Sequence, residues 1–416
     1  MAFLYISGCS FLSRKKHASV ALGRFETPIR IYDINHRSLC ATALEDKLDL
    51  TIELCHFACY LLSRLHGVLL IRETKGKAVK PIVAAAPETR RRIPSLEGTS
   101  DPFSFVTDEL QLVEENLLRA IRSREQTLTD IAGHLICGGG KRVRPMVTLL
   151  AFLAFGGKRT QDIVDIATAI ELIHTATLLH DDIIDRADTR RGKESAYRKF
   201  GLKNTLVAGD FLFIKAFEFA GKFDETVVEW TADACALLTE GETLQGYFNR
   251  NRAVTLDDYV EIAKRKTASL FETGAKVGAY LAGANSASVE ETHRYGLNMG
   301  IAFQMVDDIL DVVGQIELLG KPTGMDLRDG NPSLPIILAL KAEQTAVCEA
   351  FQTAQPTEAL VVAALNAIKS GPIIQEAKTI SRGYAEEALK SIRKFPPSLY
   401  RNGLKTLVQL IIDRDF

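Results

Sequence analysis

An all-α bundle is the fold class predicted by this sequence, and three observations carry it. Helical periodicity recurs along most of the 416 residues, strand alternation is scarce, and 46% hydrophobic with 25% charged residues is enough apolar material for a large core. DELQLVEENLLRAI sets Leu110, Val113, Leu117 and Ile121 at three- and four-residue steps, the spacing of one helix face. Similar periodicity runs through 143–155, 161–185, 204–220, 226–247, 256–282, 287–313 and 334–350. Helices this long bury their apolar stripes against one another. No repeat of 20–50 residues and no low-complexity tract is present.

The stretch 77–102, KAVKPIVAAAPETRRRIPSLEGTSDP, holds four prolines, a basic triplet and a turn cluster, and reads as a linker. It separates an N-terminal extension, 1–98, from a helical domain, 99–416. The extension carries 15 Lys and Arg against 9 Asp and Glu, and HFACYLLSRLHGVLL within it reads as one helix. Its first 24 residues contain Arg14, Lys15, Lys16 and Arg24 and no acid. Such a segment suits an organelle transit peptide or a basic tail, and lacks the apolar core and cleavage site of a secretory signal.

The seven cysteines show no paired spacing and are read as reduced thiols of an intracellular, cytoplasmic protein, with organelle targeting left open. Cys55 and Cys59 beside His56 are read as an ordinary buried pair in preference to a metal site. A net charge of −1 gives no basic field for nucleic acid. By this reading no apolar run reaches the ~18 residues of a transmembrane helix.

Chemistry concentrates in two acidic clusters of pattern DDxxD: Asp181, Asp182, Asp185 in LLHDDIIDRADTRRG, and Asp307, Asp308, Asp311 in FQMVDDILD. On a helix, residues i and i+4 share a face, so each cluster points two like charges into one space. Both clusters follow long apolar stretches and so fall toward helix C-termini, where the macrodipole disfavours anions. A solvated helix end neutralised by Arg186, Arg190 and Arg191 would explain one cluster; two with the same spacing call for a cation. Mg²⁺ fits, being held by one or two carboxylates with water and phosphate oxygens completing its shell.

Basic partners accompany them. CGGGKRVRP, 137–145, offers Lys141, Arg142 and Arg144 after three glycines, although Arg142 replaces the Ser or Thr of a nucleotide-binding P-loop. Arg190 and Arg191 lie just beyond the first acidic cluster. One metal-bridged and one purely basic anion site imply two phosphorylated substrates. No Ser-His-Asp or Cys-His pairing and no zinc spacing is evident.

GGGKRVRP, ELIHTATLLHDDIIDRADTRRG, Gly209-Asp210, KRKTASLF, GLNMGIAFQMVDDILD and GKPTGMDLRDGNPSLP occur in the order found in trans-type polyprenyl diphosphate synthases. The sequence resembles that family from Asp101 to Phe416, most of all its long-chain octaprenyl- and solanesyl-type members; residues 1–98 are not covered. The resemblance implies an isoprenoid-synthase-like helical bundle around a deep central cavity, acting as a homodimer. It implies head-to-tail condensation of isopentenyl diphosphate onto an allylic diphosphate, giving a long all-trans product suited to quinone side chains and delivered to membranes. It assigns Mg²⁺ to Asp181, Asp185 and Asp307, supported by Asp182, Asp308 and Asp311. Isopentenyl diphosphate falls to Lys141, Arg144, His174 and Arg191, the allylic diphosphate to Arg190, and the reacting centre to Lys266, Thr267 and Gln304. Without the resemblance, His174 reads as a satisfied core histidine.

Three alternatives are weaker. A terpene cyclase has no use for a second basic site, and its second metal motif mixes Asn or Asp, Ser or Thr, and Glu, which DDILD does not. A non-catalytic subunit of a heteromeric synthase typically loses an aspartate motif, and both are intact. A farnesyl or geranylgeranyl product is disfavoured because Ala176 and Thr177, one turn before Asp181, are small where short-chain members often carry an aromatic.

Overall fold

A computed structural model describes residues 102–158, 160–314 and 323–414. The expected extension 1–98, with its helix and its Cys55–Cys59 pair, lies outside the described residues. The described chain is almost entirely helical, as expected. Its helices are α1 (Thr107–Ala120), α2 (Gln126–Ile136), α3 (Val143–Ala154), α4 (Thr160–Ile184), α5 (Ala196–Phe200), α6 (Leu202–Ala220), α7 (Glu225–Phe248) and α8 (Leu256–Ala263). A π-turn, Lys264–Ala268, joins α8 directly to α9 (Ser269–Leu281). Then come α10 (Ser286–Val313), α11 (Met325–Asp329), α12 (Leu334–Lys341), α13 (Thr345–Gln352), α14 (Glu358–Ser370), α15 (Ile373–Ile392) and α16 (Leu399–Ile412).

Local chemistry sets several starts. Asp224, Asn285, Thr357 and Ser398 each accept a backbone N–H in the first turn of α7, α10, α14 and α16. Thr255 and Asp258 form a reciprocal capping box on α8.

α4 lies along α6, and α10 packs against both α9 and α15. One apolar cluster joins α1–α4, α6, α7, α9 and α10; a second collects α8, the later part of α10, and α12–α15. α4 is long and apolar enough to cross a membrane, which the sequence reading did not anticipate, but 78% of its apolar window is buried in the bundle. It is the central core helix.

Two further differences have physical causes. The stretch 334–350 breaks into α12 and α13 because Glu343 takes a left-handed φ of 52°, and no glycine announces it. A β-hairpin, β1 (Thr189–Arg190) with β2 (Lys193–Glu194), interrupts the helices just after α4. Its two-residue turn puts both Arg191 and Gly192 at positive φ, 54° and 71°, as tight primed turns require. That turn fixes where Arg190 and Arg191 point.

Candidate active site

The first acidic cluster ends α4. Asp182 is fully buried, and Arg190, brought back by the hairpin, donates to its Oδ1 from Nε at 2.7 Å. Its other oxygen, Oδ2, is buried without a hydrogen-bond partner. Asp181 is half-buried and lies 4.0 Å from the Lys266 ammonium. Asp185 has its carboxyl pushed up to about 7, first by poor hydration and then, against the pull of Lys266, by Asp181, Glu242 and Asp329. Lys266 is therefore shared among Asp181, Asp185 and Glu242.

The second cluster ends α10. Asp308 is buried, accepting from Tyr259 Oη at 2.6 Å, Gln304 Nε2 at 2.7 Å and the Leu334 N–H at 3.0 Å. Asp311, also buried, accepts from the Asp326 N–H at 3.2 Å. Asp307 alone of the three is exposed to solvent at 41%, and it pairs with Arg414 at 2.7 Å. Arg414 also stacks over Phe303, 4.8 Å from the ring centre.

The π-turn KRKTA spans both clusters. Lys266 pairs with Glu242 as well as facing Asp181, and these acids with Asp185 raise its pKa despite the burial that opposes them. One residue on, Thr267 donates to Gln304 Oε1 at 2.6 Å, and Gln304 leads to Asp308. α7 approaches this turn closely at Gly241, where a Cβ would sit 2.6 Å from the Lys266 backbone nitrogen. A π-turn widens the helix by one residue and is often found at functional positions.

The basic group assembles beside them. Arg144 stacks 4.6 Å from the Phe271 ring centre, with its Nε buried and unbonded. Burial holds its pKa below the usual arginine value against Glu171 and Asp307. Burial and then Arg414 lower Lys141, while Asp307 opposes them. Arg191 donates to the Gly139 carbonyl, and burial with Arg142 lowers it too. His174 is held well below its ordinary pKa by burial first and then by Arg144, Arg191, Arg142 and Arg190. Such a collection of depressed cations suits an anion that would restore them.

Arg142 is a correction. It is buried at 8% exposure and clamps Glu114, Glu171 at 2.8 Å and the Ile136 carbonyl, so it braces the loop and is not available to phosphate. Tyr259, Glu242, Asp326, Asp329 and Arg414 were not singled out from the sequence. Their partners lie elsewhere in the chain, up to 107 residues away for Arg414 and Asp307, and spacing carries no trace of that.

His174 supplies a direct check. Its ring should stay neutral on titration to pH 6 by ¹H–¹⁵N NMR, whereas a free imidazole half-protonates near ~6.5. A folded pKa below the unfolded one means the unfolded chain binds the proton first, so this contribution to stability is lost as pH falls below ~6.5. A normal midpoint would contradict the placement.

A buried core with two acidic helix ends facing a basic loop defines a class of diphosphate-handling helical enzymes. The polyprenyl synthetase family model matches residues 125–368, and this chain belongs to that family. It is 33% identical to octaprenyl diphosphate synthase of Haemophilus influenzae, over 78% of this chain and 98% of that protein. It is 32% identical to chloroplastic solanesyl diphosphate synthase 1 of Arabidopsis thaliana, over 75% of this chain and 78% of that one. Among solved structures, polyprenyl synthase from Caulobacter crescentus, complexed with calcium and isoprenyl diphosphate, superposes with a TM-score of 0.73 at 33% identity, covering 75% of this chain and 97% of that one.

Proposed function

We propose that this protein is a long-chain trans-polyprenyl diphosphate synthase, adding isopentenyl diphosphate to an allylic diphosphate. One observation carries the site assignment: the π-turn reaches the first acidic cluster through Lys266 and the second through Thr267, Gln304 and Asp308. An allylic diphosphate between the clusters would lie against that turn.

Mg²⁺ fits the donors present. All are carboxylate oxygens, and at most two per cluster are accessible. Among the described residues no three metal-binding side chains converge, so a bound Mg²⁺ would need water and substrate phosphate oxygens to complete its shell. Asp181 and Asp185 at one cluster and Asp307 at the other would hold separate Mg²⁺ ions, while Asp182, Asp308 and Asp311, bonded inward, orient them. Bound Mg²⁺ would supply Lewis-acid stabilisation of the leaving diphosphate.

The chain's own groups do the rest. Lys141, Arg144 and Arg191 bind the diphosphate of isopentenyl diphosphate, to which neutral His174 adds a hydrogen bond. Arg190, held by Asp182, faces the allylic diphosphate. As the allylic C–O bond breaks, the double bond of the second substrate attacks the cation, and a proton then leaves to the released diphosphate. The apolar surroundings exclude water that would trap the cation.

The long-chain reading draws on the relatives' octaprenyl and solanesyl names and on the small Ala176 and Thr177. On α6, Val207, Phe211 and Ile214 share one face, the first exposed and the others half-buried, and this face suits the contact of a homodimer. Incubating purified protein with labelled isopentenyl diphosphate, farnesyl diphosphate and Mg²⁺ should yield products of six to ten isoprene units by thin-layer chromatography. No Mg²⁺-dependent incorporation would refute the reading.

A further inference from the structure

We propose that Arg250 is a positioning residue for the metal-binding rim: a strut that fixes the 324–334 segment against the second acidic cluster from outside the site. Four observations support it. Arg250 stands just beyond α7 in the left-handed region, φ 57°, a conformation that costs a non-glycine residue energy and is kept where surroundings enforce it. Its backbone N–H donates to the Gly330 carbonyl at 2.9 Å. Its guanidinium donates to four more carbonyls, those of Arg328 at 2.6 Å, Phe351 at 3.2 Å, Ala354 at 3.1 Å and Thr353. Its neighbour Asn249 adds a bond to the Asp329 carbonyl at 2.9 Å.

Gly330 is shaped to admit this side chain. It has φ 74°, and a Cβ there would land on Arg250 Cγ and 2.8 Å from Cζ. The opposite side of the same segment touches the acids. Gly324 donates to the Asp311 carbonyl at 2.7 Å, Asp326 to the Asp311 carboxylate, and Leu334 to the Asp308 carboxylate. Only a planar group with five donors meets four carbonyls at once, and lysine is no substitute. Arg250 touches no proposed reacting group itself.

The inference rests on the synthase reading, and the test separates the two. Mn²⁺ binding to the full-length protein, followed by the free-ion EPR signal, needs no turnover. Arg250→Ala should weaken Mn²⁺ roughly tenfold, the usual effect of losing a group that orients metal ligands. The KM for allylic diphosphate should rise in parallel, while that for isopentenyl diphosphate, held by other elements, moves less than twofold. Arg250→Lys should not restore Mn²⁺ affinity. If Arg250→Ala does not fold, Gly330→Ala displaces the guanidinium and should give the same pattern. Unchanged Mn²⁺ affinity with a lowered Tm would overturn the strut, as would an equal rise in both KM values. Normal wild-type Mn²⁺ binding without any condensation would instead sink the functional reading.

Discussion

Asp181→Ala or Asp307→Ala should lower turnover by roughly 10²–10³-fold, the scale of removing one preorganised stabiliser of developing charge. Helical circular dichroism should not change. Lys266 keeps Glu242 when Asp181 is lost, and Asp307 is partly solvent-exposed and pairs with Arg414 at the surface. Asp182→Ala is the informative contrast. It removes a fully buried carboxylate and strands Arg190, so it should lower Tm as well as activity. EDTA should abolish wild-type activity and added Mg²⁺ should restore it. Near-normal turnover in Asp181→Ala or Asp307→Ala would remove the metal assignment.

Ala176→Phe should shorten the main product. The growing chain is expected to run from the first acidic cluster along α4, and one helical turn, ~5 Å, is about the length of an isoprene unit. Ala176 is fully buried and Thr177 half-buried, its hydroxyl bonded to the His174 carbonyl at 2.8 Å. A phenyl ring at Ala176 therefore also risks overpacking by ~1–3 kcal/mol. Thr177→Phe, at a roomier position, serves as the second variant. If both fold and make wild-type-length product by chromatography, the floor of the chain's path lies elsewhere.

The acidic clusters were legible because each is contiguous and sits at the end of an apolar helix. Spacing alone did not say which carboxylate faces outward; only the family resemblance separated the two sets. Asp182 and Asp308 turn inward because Arg190 and Tyr259 meet them there, and those contacts depend on a hairpin turn and on a different helix. The glycine-rich loop read as a basic anion site; Arg142 is claimed by two distant glutamates, while Lys141 and Arg144 stay the proposed anion ligands. Periodicity located α1, α3, α4, α6, α7, the joined α8 and α9, and α10, but not α2 or α5. Nor did it give the break at Glu343, since a left-handed glutamate leaves no compositional mark. The helices after Gln352 had not been delineated.

The hydrogen bonds from Thr267 to Asp308 have a direction, and it determines polarity. Asp308 accepts from three donors, so the amide nitrogen of Gln304 must face it and the amide oxygen must face Thr267. The threonine proton is thereby committed to Gln304. What Thr267 can turn toward a neighbouring carbocation is a lone pair, never a hydrogen. A buried carboxylate two links away thus selects the sign of the dipole at the proposed reacting centre, and Asp308→Asn, by supplying a donor of its own, would free the hydrogen bonds to run backwards.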